Sequence, residues 1–167
     1  MIIFSNIAFV AWAFAVALYD CRKRRVTNVL IVIGLVAAVL AAFIHSSPFN
    51  TTFLQALLGT LYGTLALLPF FALRWMGAAD VKVFAVLGAW CGATALLGLW
   101  IAATLAGGVH ALVLLLRSKT SYTPFMAARR PIFALGAYRG APYAAFLTGA
   151  AILWFAWRML LESNALQ

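Results

Sequence analysis

Residues 83–116, VFAVLGAWCGATALLGLWIAATLAGGVHALVLLL, carry no Asp, Glu, Lys or Arg. A helix rises about 1.5 Å per residue and crosses the hydrocarbon of a bilayer in about 20 residues. The stretch is therefore too long for one ordinary span and barely long enough for two with a turn between them, for which Gly88-Ala89-Trp90-Cys91-Gly92 is the candidate. The charges that follow decide between one and two. Arg117, Lys119, Arg129, Arg130 and Arg139 come next. One span would place them all outside, whereas two place them inside, where Lys and Arg accumulate.

The same rule orders the rest of the chain. The predicted fold is all-α: one integral membrane domain over 1–167, a polytopic protein of six transmembrane helices near 2–19, 29–44, 53–73, 81–90, 93–116 and 141–157. The N-terminus and the C-terminus are both expected outside. Every Lys and Arg except Arg158 then falls on the inner side or at its edge. The turn-rich, uncharged loop His45–Thr52 lies outside, Pro69 is placed to kink the inner end of the third span, and Ile132–Leu135 is an apolar piece suited to rest on the inner surface.

Composition agrees with a membrane protein, since 66% of the residues are hydrophobic and only 9% are charged. The net charge of +9 does not indicate nucleic acid, because the basic residues cluster between long uncharged runs and not on a soluble face. The basic cluster Arg22-Lys23-Arg24-Arg25 follows the first apolar run, an order that predicts an uncleaved first span. Cys21 and Cys91 form no CxxC pair and read as small apolar residues.

The chain has three acids: Asp20, Asp80 and Glu162. Glu162 reads as a solvated tail residue. Asp20 ends the first span and Asp80 begins the fourth, so the topology brings both to one face and one depth, where an acid is costly unless it is used or paired. Two close aspartates suit peptide hydrolysis. One ionised carboxylate takes a proton from water, and one protonated carboxyl polarises the scissile carbonyl. The helix ends favour ionised Asp80 and protonated Asp20, although the basic residues after Asp20 oppose this.

Structural uses compete at each position. Asp20 can pair with Arg24, Asp80 can cap the fourth helix, and Asn28 can cap the second. Lys82, two residues beyond Asp80, faces away from it on a helix and reads as a contact for a lipid headgroup or for substrate. His110, after Gly107-Gly108, and His45 read as structural. HExxH, Gly-x-Ser-x-Gly and Gly-rich phosphate loops do not occur. The competing class is a non-catalytic membrane carrier or assembly component with the acids as an ion or proton site. Such a path spaces its acids through the membrane, and these two share an edge.

Two motifs carry a family resemblance. Asp20-Cys21-Arg22-Lys23-Arg24-Arg25-Val26-Thr27-Asn28 and Gly77-Ala78-Ala79-Asp80-Val81-Lys82 resemble the first and second motifs of the type IV prepilin leader peptidases, membrane aspartic peptidases of the GxGD type. The match is nearest the short Tad/Flp-pilus branch, with a looser likeness at Ala141-Pro142-Tyr143-Ala144 and Gly149. The resemblance implies Asp20 and Asp80 as catalytic, with Gly77, Ala79, Lys82 and Asn28 supporting the site or binding substrate. It implies no metal, no cofactor and no nucleic-acid partner. The substrate it implies is a prepilin-like protein with a basic leader and an apolar helix, cut at the cytoplasmic face of a bacterial inner membrane. The chain departs at Ala79, where the family has glycine, and at Thr27, where it has proline. It has no cysteine-tetrad domain, so N-methyltransferase activity is not implied.

Overall fold

The computed structural model describes residues 1–23, 25–117 and 143–164. Its elements are all helices: α1 (Ile2–Lys23), α2 (Asn28–Phe43), α3 (Phe53–Ala72), α4 (Ala78–Cys91), α5 (Ala93–Arg117) and α6 (Tyr143–Asn164). Four of these, α1, α3, α5 and α6, are long and apolar enough to cross a membrane. The expected inner loop with Ile132–Leu135, the Arg24 partner, and Ala141-Pro142 lie outside the described residues.

Helix α4 is the axis of the molecule. Helices α1, α2, α3, α5 and α6 each pack on the next, and the last closes on the first; α2, α3, α5 and α6 also pack against α4. This enclosure explains the composition of α4. Val81 and every residue from Val83 to Cys91 are buried, so the helix is apolar all round, as one surrounded by protein must be. It spans only 14 residues, about 21 Å.

Glycine makes the tightest of these contacts. Gly59 and Gly63 lie one turn apart on α3, and a methyl at Gly59 would overlap the Gly88 carbonyl on α4. The reverse holds at Gly88, while a methyl at Gly63 would sit 2.9 Å from the Phe84 carbonyl. The two backbones are in direct contact, the use that membrane helices make of small residues four apart. The break between α4 and α5 is one residue, not the five-residue turn expected at 88–92. Gly88 to Cys91 stay helical, and Gly92 alone turns the chain, at φ 78 and ψ 167. Only glycine adopts that conformation without strain.

The two ends of the bundle differ. At one end the α2–α3 connection folds inward, burying Ser46, Ser47, Phe49 and Thr51. Phe49 meets Phe9 edge-on at 5.1 Å and Phe155 at 5.7 Å, and Thr51 Oγ1 donates to the Trp90 carbonyl at 2.6 Å. Arg158 donates to the Phe49 carbonyl at 3.3 Å and pairs with Glu162 at 3.5 Å, and Glu162 is exposed, as expected of it. At the other end lie the last turn of α1 and the first turns of α2, α4 and α6. Two helices finish in left-handed caps made by residues with side chains. His45 (φ 53) ends α2, with Ser46 N–H bonded to Ala41 O at 2.9 Å; Arg74 (φ 59) ends α3, with Trp75 N–H bonded to Phe70 O at 2.9 Å. Pro69 lies inside α3, close to this second cap.

Candidate functional site

Asp20 sits in the last turn of α1 and is 7% exposed. Asp80 is the third residue of α4, half-buried, ahead of the apolar run that begins at Val81. The start of α6 brings them together. Ala145 N–H donates to Asp20 Oδ2 at 3.0 Å, and the amide of the preceding residue, Ala144, donates to Asp80. The first N–H groups of a helix have no intrahelical acceptor, so consecutive amides at this end can receive two carboxylates.

Asp80 also reaches back along its own helix, where its Oδ2 accepts from Gly77 N–H at 3.3 Å. The capping use and the paired use therefore coexist in one side chain. A methyl at Gly77 would lie 3.2 Å from that oxygen, and Gly77 itself has an ordinary extended backbone (φ −76, ψ 149). Glycine at 77 leaves room for the carboxylate; no special dihedral demands it. Ala79 lies within the helix, outside the left-handed region, so alanine fits there without backbone strain.

Asp20 is near enough for its charge to act on Asp80, and two like carboxylates at such range cannot both ionise cheaply.

The two sequence motifs meet a second time. Lys82 Nζ donates to Asn28 Oδ1 at 2.8 Å, tying the start of α2 to the start of α4. Asn28 does not cap α2, since Thr27 holds the cap position and makes no side-chain cap bond. Lys82 is directed away from Asp80, as its spacing predicts, and its partner is a residue of the other motif.

Of the expected site residues, Asp20 and Asp80 converge through α6, Gly77 and Ala79 shape the turn under Asp80, and Lys82 and Asn28 bond to each other. What the sequence did not reveal is the role of α6. Its contribution comes from the backbone of Ala144 and Ala145, which leaves no residue signature; the nearest signal was the loose likeness at Ala141–Ala144. Beside it, Tyr143 and Thr104 oxygens lie 3.1 Å apart. His110 stacks near Phe146, ring centroids 5.5 Å apart, consistent with a structural use. Among the described residues, no three His, Cys, Asp or Glu side chains gather as metal ligands would. Two neighbouring carboxyls, one buried and one half-buried, that share a single proton can act as acid and base at once.

Residues 7–112, which hold Asp20, Asn28, Gly77, Asp80 and Lys82, match a family described as the Type IV leader peptidase family. No curated protein and no solved structure matches the chain.

Proposed function

The chain belongs to the type IV leader peptidase family, and from that premise we propose that it is a membrane aspartic endopeptidase with Asp20 and Asp80 as its catalytic pair. Its substrates are prepilin-like precursors of the Flp type, with a basic leader before an apolar helix, and it cuts at the cytoplasmic face. In this reading all six helices cross the bacterial inner membrane, the short α4 inside the ring of the others, and both termini lie outside. The orientation is supported by charge: among the described residues, Arg158 is the one Lys or Arg at the plugged end.

The observation that carries the proposal is the convergence of the only two aspartates in the chain on consecutive amides of α6. In this mechanism Asp80 holds the shared proton and Asp20, whose Oδ2 accepts from Ala145 N–H at 3.0 Å, is the base. A water between them gives a proton to Asp20 as its oxygen adds to the scissile carbonyl carbon, while Asp80 gives its proton to the carbonyl oxygen. The tetrahedral adduct then collapses. The C–N bond breaks as the leaving amine takes the proton held on Asp20 and one hydroxyl of the adduct returns a proton to Asp80, so the new acid keeps the water oxygen and the pair is again singly protonated.

Coexpression with a candidate prepilin tests this on a mobility gel. Asp20→Asn and Asp80→Asn should each reduce cleavage by at least about a thousandfold, the scale on which removing one member of a concerted pair acts. Continued cleavage by either variant would sink the paired mechanism.

A further inference from the structure

The amides that hold the two carboxylates belong to alanines, whose methyl side chains cannot by themselves fix where a helix begins. The residue before them can. Tyr143 opens α6, and its hydroxyl lies 3.1 Å from Thr104 Oγ1 on α5. Thr104 has one hydroxyl proton, and it is directed to the Trp100 carbonyl at 2.7 Å. The direction of the tyrosine bond follows: the phenol donates and Thr104 accepts. The ring also runs close to α5, since a methyl at Gly107 would lie 4.0 Å from Tyr143 Cδ2 and 3.6 Å from the Phe146 ring.

The first turn of α6 is thus held on α5 by a directed bond one residue before Ala144 and two before Ala145. Released from α5, the turn would carry the two N–H groups with it, and a shift of about 1 Å in reacting groups costs on the order of a hundredfold in rate.

We propose that Tyr143 is a positioning residue for the aspartate pair, acting through Thr104 to fix the first turn of α6 so that Ala144 and Ala145 hold Asp80 and Asp20 in a productive arrangement. The proposal rests on the catalytic reading of Asp20 and Asp80. Thr104 lies within residues 7–112, the part that matches the family, and Tyr143 lies beyond it.

Tyr143→Phe keeps the ring on α5 and removes only the hydroxyl. With a coexpressed or purified prepilin, kcat should fall about tenfold with KM within about twofold of wild type, as expected when one neutral hydrogen bond that orients the reacting groups is lost. Thr104→Val should cause a similar fall, Thr104→Ser should restore most of the rate, and Tyr143→Phe with Thr104→Val should be no slower than the slower single variant. A wild-type kcat in Tyr143→Phe, or losses that multiply in the double variant, would overturn the tether.

A second measurement needs no substrate. Asp20 and Asp80 are the only aspartates, so isotope-labelled aspartate places an infrared label on these two carboxyls alone. Their bands should shift in Tyr143→Phe at unchanged melting temperature, and unshifted bands would refute the positioning role. A wild-type protein that cleaves no prepilin would count against the proposed function, and the infrared comparison would still decide the tether.

Discussion

The contact between α3 and α4 gives a sharp test of how packing supports the site. Replacing Gly59 by alanine adds one methyl, and that methyl overlaps the Gly88 carbonyl. A side chain in the way could rotate; a backbone carbonyl inside a buried helix cannot, so α3 and α4 must separate by on the order of 1 Å. Two energies compete. Alanine in place of helical glycine gains about 1 kcal/mol of helix propensity, and overpacking a well-filled contact costs about 1–3 kcal/mol. With backbone on both sides the cost lies at the upper end, so the net loss is about 2 kcal/mol. For a chain of this size that corresponds to a melting temperature lower by on the order of 5 °C. The kinetic effect should be larger. Helix α4 carries Asp80 three residues from its start, and a displacement of about 1 Å at reacting groups costs about a hundredfold. Gly98→Ala is the internal control, because a methyl there meets nothing within 4 Å; it should leave cleavage unchanged and raise stability slightly. Thermal unfolding in detergent and a prepilin cleavage gel read both quantities. If Gly59→Ala melts and cleaves like Gly98→Ala, the direct backbone contact and its link to Asp80 are both wrong.

Two further outcomes follow from the site and its caps. Lys82→Met and Asn28→Ala should each slow cleavage about two- to fivefold, with the double variant no worse than either single one; independent, multiplying effects would mean that their 2.8 Å bond carries nothing. Arg74→Gly, at φ 59 in the cap of α3, should stabilise the protein by about 1 kcal/mol in thermal unfolding, and a loss of stability would show that the arginine side chain outweighs its backbone strain.

Most helix positions were legible because apolar runs and the charges between them are local features of the chain. The charge asymmetry that favours two helices in 83–116 also puts Asp20 and Asp80 at one end, and α1 and α4 meet there through α6. Other features were hidden for definable reasons. The spacing of Gly59 and Gly63 is visible in the sequence, but its partner Gly88 is fixed only by which helix takes the centre. The five-residue turn at 88–92 contracted to Gly92 because α4 is buried and keeps its hydrogen bonds until one glycine releases them. The departure at Ala79 carried no strain, since the position is helical. Asn28 had the composition of a cap and instead accepts from a lysine 54 residues away, a pairing that no local rule supplies.

The bond from Ala145 to Asp20 has a consequence for how the protein is made. Its two ends are separated by 125 residues, which a ribosome adding about 5–20 residues per second takes on the order of 10 s to traverse. Through that interval the Ala145 amide has not been synthesised, and α1 to α5 can enter the bilayer without the helix start that joins Asp20 to Asp80. Under the proposed function, proteolytic competence arrives with the last helix. A growing chain therefore cannot act on its neighbours during insertion, and the order of synthesis itself serves as the safeguard that soluble proteases obtain from a pro-segment.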